Sequence, residues 1–336
     1  ILDWHDQNIC GNVVKFANSA RVYRIMPKGV KPIKRFDLNK LSDEELAGMQ
    51  DHSNDWYVRH ARRMLQERSL AGQNMAETHA ELRRLFDKSS DVTRKLRCLW
   101  ALYVSGGTDE AWLHSLMGHQ NEHVRSWAVR LLADGQAPSE ETLKHLAEMT
   151  DSEVSWLVQV TLASTLQRVP IGERWPVASR LASKVFADSE ANLQRMIWYA
   201  IEPGIPENPH RAVKLATRTS SKLRQWIARR LTEHSVDAVA ILFEELARLK
   251  TSDVISDLLT GFNAGLPSWE IGKLPASAGD VAARLLGHSD VEVRVAAVTA
   301  AAAIGDEAVV DRIRTLMHDR REISETRLAA LSGLGR

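Results

Sequence analysis

One phrase returns along most of this chain and limits what it can fold into. It is a polar capping cluster, then a β-branched or leucine residue followed by arginine, then an apolar run rich in alanine and leucine. The copies read SNDWYVRHARRML from Ser53, SSDVTRKLRCLWAL from Ser89, QNEHVRSWAVRLL from Gln120, SSKLRQWIARRL from Ser220, HSDVEVRVAAVTAAAA from His288 and REISETRLAAL from Arg321. With the arginine as marker, Arg59, Arg94 and Arg125 stand 35 and 31 residues apart, and Arg294 and Arg327 stand 33 apart. The 99 residues from Arg125 to Arg224 hold three periods, with DSEVSWLVQVTLAS at Asp151 and DSEANLQRMIWYA at Asp188 in the two vacant places. The 70 residues from Arg224 to Arg294 hold two, with TSDVISDLLTGF at Thr251 between them. About nine units result. A helix pair of this length buries its apolar face only by stacking on its neighbours, so the period predicts an all-α solenoid.

Each position of the phrase has a physical reason. Ser289, Asp290, Asp151 and Asp188 are suited to cap exposed amides at a helix start, and Ser42 with Glu45 and Ser289 with Glu292 spell capping boxes. Val293, Ala296, Ala297 and Ala300 fall on one helical stripe, where small alanines let adjacent helices approach, and Gly305 suits a left-handed helix end. An aspartate, valine and arginine opening the second helix of a pair resemble HEAT repeats. That resemblance implies a ladder in which Arg59, Arg94, Arg125, Arg224, Arg294 and Arg327 bond to acidic or carbonyl groups of neighbouring turns. The ladder is expected to break at Ser155 and Gln194, loosening the central units.

The first three dozen residues differ. Asn12 to Met26, NVVKFANSARVYRIM, alternates β-branched and aromatic residues with polar ones and predicts a strand, and KGVKPIK from Lys28 suits an extended exit from a sheet. We divide the chain into this β segment and linker, 1–36, and a helical region, 37–336. Ile1 in mid-strand and Arg336 within a helical pattern read as the edges of a stretch from a longer protein.

Composition excludes some partners. Lysine and arginine number 44 against 43 aspartates and glutamates, so a net charge of +1 sets up no long-range field to draw in nucleic acid. No apolar run is long enough to span a membrane, and Cys10 and Cys98 alone cannot build a disulfide framework or a zinc knuckle.

Few motifs suggest chemistry. His119 to His123 spell H-x-x-E-H, but they fall in a capping loop, so the histidines straddle a turn instead of sharing a helix face as a zinc peptidase needs. GLPSWEIGK at Gly265 has the wrong glycine spacing for a phosphate loop, Ser105-Gly106-Gly107 reads as a turn, and no C-x-x-C-H is present to attach haem. Trp56, Trp127, Trp156 and Trp226 recur in the repeat and are expected in the core, some rimming a groove. The doublets Arg62-Arg63, Arg83-Arg84 and Arg229-Arg230 read as solvated faces paired with acids rather than a phosphate-binding stripe. Asp3, His5, Asp6, Cys10 and Asn12 crowd metal-capable groups before a strand. Calcium ligation through Asp3, Asp6 and Asn12 competes there with a tight inter-strand corner, which we favour.

That opening phrase, DWHDQNICGN, runs into Ser19 to Ile25, SARVYRI. It resembles the closing blade of the sugar-dehydrogenase-like β-propeller in PVC-type membrane-bound dehydrogenases, with Ala20 in place of the usual glycine. DWYVRHARR at Asp55, MIWYAIEP at Met196 and LRQWIARR at Leu223 continue the likeness over most of the chain. The resemblance implies an exported or periplasmic redox protein in which a propeller oxidises a sugar or alcohol and a HEAT-like, armadillo-like solenoid leads to a C-terminal cytochrome c domain. Haem c and a quinone cofactor would then belong to the parent protein, with no cofactor, metal or catalytic residue in this segment. Its partners would be the flanking propeller and haem domains, with the concave helix face free to meet another protein. A stand-alone HEAT adaptor is the alternative reading, and a HEAT-fold enzyme acting on nucleic acid is disfavoured by the balanced charge.

Overall fold

The structure is a computed structural model that describes residues 2–3, 21–23, 25–30, 36–135, 137–184, 191–266, 276–304 and 307–335. Polar residues start most of the helices. Asn54, Asp91, Asn121, Ser155 and Ser220 each sit just before a helix and accept a hydrogen bond from an amide of its first turn. Ser42 and Glu45 form the expected capping box. Glycines turn the chain back at some helix ends: Gly72 and Gly106 have φ of +83° and +77°, a left-handed geometry that other residues resist.

Eighteen α-helices result among the described residues, and they fall into two layers. One comprises α1 (Asp43–Gly48), α3 (Ala76–Lys88), α5 (Glu110–Leu116), α7 (Glu140–Ser152), α9 (Trp175–Lys184), α11 (Pro209–Ala216), α13 (Val236–Arg248), α15 (Ala276–Leu285) and α17 (Glu307–His318). The other comprises α2 (Asp55–Leu70), α4 (Val92–Val104), α6 (Glu122–Leu132), α8 (Trp156–Thr165), α10 (Ala191–Ile201), α12 (Ser221–Thr232), α14 (Ser252–Gly265), α16 (Val291–Ile304) and α18 (Ser324–Leu334). Each even-numbered helix packs on the even-numbered helices before and after it, and the odd-numbered helices do likewise from α5 to α17. The architecture is therefore all-helical and solenoid-like. The only strands among the described residues are a two-residue antiparallel ladder, Leu2–Asp3 against Arg21–Val22. Of the rest of the expected strand from Asn12 to Met26, Tyr23, Ile25 and Met26 are described and are not in a strand, while 12–20 and Arg24 lie outside the described residues, as does Gly305.

The core is the seam between the layers. Leu65, Leu99, Leu102, Leu162, Leu181, Phe243 and Phe262 are essentially inaccessible there, each contributing roughly 1.5–3 kcal/mol of burial. The Val293, Ala296, Ala297 and Ala300 stripe is buried as its spacing predicts.

Capping differs from expectation in two places. Asp151 caps nothing, because α7 runs on through Ser152; it pairs instead with Arg180 at 3.1 Å. The amide of Glu292 is taken by Asp290 at 2.9 Å rather than by Ser289. Asp188 lies outside the described residues.

Helices α12 and α14 make the most extensive helix–helix contact among the described residues. Gly261 and Gly265, one turn apart on α14, make room for it. A Cβ on Gly261 would collide with the carbonyl oxygen of Gln225 and stand 2.7 Å from Ala228 Cβ. One on Gly265 would stand 2.7 Å from Thr232 Cβ and 2.9 Å from the carbonyl oxygen of Arg229.

Candidate functional site

The arginine ladder is built from the fourth residue of seven of the even-numbered helices, whereas α2 and α14 hold the buried Val58 and Ile255 there. That position holds Lys95, Arg125, Gln159, Gln194, Arg224, Arg294 and Arg327 in α4, α6, α8, α10, α12, α16 and α18. Most of these side chains fold back on carbonyls where the preceding helix ends. Lys95 donates to Phe86 O (2.7 Å), Arg125 to His119 O (2.9 Å), Gln159 to Glu153 O (3.0 Å), Arg224 to Ala216 O (3.0 Å), Arg294 to His288 O (2.9 Å) and Arg327 to Met317 O (3.0 Å). The reason is general: a helix C-terminus leaves carbonyls unpaired and carries partial negative charge, which a cationic or amide donor satisfies.

Three of these arginines also reach the next helix pair. Arg125 forks onto Glu153 at 2.7 and 2.9 Å, Arg224 meets Asp257 at 2.5 Å, and Arg294 meets Glu322 at 2.8 Å. Burial alone would raise the Glu153 carboxyl, but the Arg125 guanidinium and the Ser155 amide outweigh it and hold the pKa below the ordinary 4.5. Glu322 is held down in the same way by Arg294 and the Ile323 amide.

The expectation needs three corrections. Arg59 is the fifth residue of α2; it is mostly exposed and, among the described residues, pairs within its own helix, with Asp55 at 2.5 Å. Arg94 is the third residue of α4 and makes a half-exposed pair with Asp51, while Lys95 does the bracing. The ladder does not break at Ser155, which is the α8 cap, because Gln159 fills the place one turn on. Gln194 keeps its expected position and is buried. The unit at Ser155 is not loosened, since α8 packs on both α6 and α10, while α10 and α12 make the smallest contact of the even-numbered layer among the described residues.

Aromatic residues divide between core and surface. Trp127 and Trp226 pack partly buried against the core, but Trp56 and Trp156 are 53% and 44% exposed, a correction to the expectation of core tryptophans. Trp56 stacks on His60 with centroids 3.9 Å apart and lines a groove with Phe36, Asn39, Arg63, Met64 and Glu67 at the first helix pair. The arginine doublets are paired with acids as expected: Arg63 with Glu67, Arg83 with Asp109, Arg84 with Glu81, Arg229 with Glu233 and Arg230 with Glu202. Arg62 instead lies 5.3 Å from the centre of the Trp100 ring.

Two histidine groups have metal-capable chemistry. In the H-x-x-E-H segment, His119 Nδ1 accepts from the Asn121 amide, Asn121 caps α6, and Glu122 accepts from Ser155 at 2.5 Å. The segment straddles the helix start, and its histidines share no helix face. The second group was not evident from sequence. His114 on α5 and Glu141 and His145 on α7 bring potential ligand atoms within 4.8 Å of one another. Asp3, His5, Asp6, Cys10 and Asn12 make no side-chain arrangement that can be described, since all five lie outside the residues whose side chains are described.

Cys98 on α4 is a structural thiol. Burial, aided by the negative charge of Asp51, pushes its pKa up to about 12, so at pH 8 roughly one molecule in ten thousand carries the reactive thiolate. Iodoacetamide at pH 8 should leave Cys98 unmodified until the chain is denatured, as read by peptide mass spectrometry. Native-state labelling at the rate of a free thiol would show that α4 opens.

No helix among the described residues is long and apolar enough to cross a membrane. No protein-family model matches the chain, and no curated protein is significantly similar to it.

Proposed function

We propose that this stretch is a HEAT-like, armadillo-like α-solenoid that spaces and docks the flanking domains of an exported redox protein, a propeller dehydrogenase before it and a c-type haem domain after it. The helix pairs, their period and the recurring side-chain bracing, which at Arg125, Arg224 and Arg294 reaches the next pair, support the HEAT reading. The docking role rests on one observation: apolar side chains stand in water at both ends of the stack. At the first pair these are Phe36 and Trp56; on the last helix they are Leu328 and Leu331, three residues apart on one face and 62% and 58% exposed. A free-standing solenoid needs polar outer faces on its terminal repeats to stay soluble, so apolar ends call for something to pack against them. The propeller and haem assignments rest on the resemblance of Asp3 to Ile25 and of the MIWYAIEP and LRQWIARR phrases. Substrate oxidation and electron acceptance would then lie in the flanking domains.

A stand-alone adaptor is the second reading, favoured by apolar exposure in mid-stack at Val154, Trp156 and Tyr199. Isolation of the protein from its source cells, using an antibody to this stretch, separates the two. The redox reading expects a mass well above 37.6 kDa and a c-type pyridine haemochrome spectrum. A haem-free species of about that mass would remove it and leave the adaptor.

A further inference from the structure

Two Glu-x-x-x-His pairs face each other across neighbouring helices. Glu110 and His114 lie one turn apart on α5, and Glu141 and His145 one turn apart on α7, which packs on α5 in the same layer. The two imidazole rings stand 4.4 Å apart between centroids, tilted by 47°. The carboxylates beside them come close without bonding. His114 Nε2 is 3.8 Å from Glu110, and His145 is 3.9 Å from both Glu141 and Glu148, all beyond hydrogen-bond range. The gap between His145 and Glu141, both in the cluster, is of the kind that a bound cation closes.

We propose that His114, Glu141 and His145 bind a divalent transition metal of the Zn2+ type, joining α5 to α7. Two imidazoles and one carboxylate suit zinc and its neighbours and disfavour calcium or magnesium, which take all-oxygen shells. Metal–ligand bonds of about 2.0–2.2 Å place tetrahedral ligand atoms about 3.3 Å apart, so a cluster already within 4.8 Å closes by about 1.5 Å of side-chain movement. His114 is oriented for this. Its Nε2 lies 2.8 Å from the Thr142 hydroxyl, which is itself bonded to Glu110, the arrangement by which an outer partner fixes the ring of a liganding histidine. Access is open, because Glu141 and His145 are 73% and 41% exposed while His114 is 10% exposed.

The test is calorimetric titration of ZnCl2 into the EDTA-stripped chain, with Co2+ absorption spectra as a second readout of ligation. One Zn2+ per chain should bind, MgCl2 should give no heat, and His145→Ala and Glu141→Gln should weaken the site at least about tenfold. Both substituted side chains are at the surface, so circular dichroism should show the fold retained. Absence of Zn2+ and Co2+ binding, or an unchanged affinity and stoichiometry in His145→Ala, would overturn the site.

Discussion

Arg125→Ala should destabilise the stack by about 3–5 kcal/mol, the cost of leaving a buried charge without its partner. Glu153 is 3% exposed and Arg125 17%, so neither charge can turn to water when the other is lost. The substitution also strips donors from the carbonyls of His119 and Gln120 at the end of the preceding helix. Removing both charges is different: Arg125→Met with Glu153→Leu should recover most of the loss, because no desolvated charge remains. Urea denaturation of the two proteins checks this, and a double variant as unstable as the single one would show that the pair's charge is not what matters.

The pH dependence follows with a definite sign. Glu153 and Glu322 have carboxyl pKa values below the ordinary 4.5, so their stabilisation is complete above that value and is lost as pH falls through the lower folded-state pKa. Stability should therefore drop on the acid side of pH 4.5, and Glu153→Gln should flatten that limb.

Gly261→Ala should cost about 2–3 kcal/mol, although glycine to alanine within a helix ordinarily gains about 1 kcal/mol. The added methyl meets the Gln225 carbonyl, which is backbone in α12 and cannot swing aside. Gly48, at the end of α1 with open space around its Cβ direction, is the control, and Gly48→Ala should be neutral or stabilising. Thermal unfolding of the two variants should move in opposite directions. Equal shifts would mean that α12 and α14 are not held at the spacing described.

The helical class and the starts of most even-numbered helices were legible in the sequence because capping residues and apolar periodicity are local properties. Register within those helices was less so. Choosing the arginine by letter set Arg59 and Arg94 beside Arg125, whereas the bracing position is the fourth helical residue, which α4 fills with Lys95 and α8 with Gln159. A lysine or a glutamine can reach the same carbonyls, so geometry preserves the ladder where the letter changes. Asp151 misled because a good cap residue need not cap: α7 runs on past it, leaving an acid in the last turn, where Arg180 offsets the unfavourable charge. The features that depend on packing were not visible. Gly261 and Gly265 read as weak points in a helix until α12 is placed against them, and His114 and His145, 31 residues apart in sequence, meet only because α5 and α7 stack.

Hydroxyl-radical footprinting tests the docking claim most directly, comparing the 336-residue chain alone with the protein isolated from its source. The account predicts that Trp56, Leu328 and Leu331 lose labelling in the intact protein while Trp156 and Tyr199 in mid-stack keep theirs. Equal labelling at both ends, or protection in mid-stack alone, would contradict it.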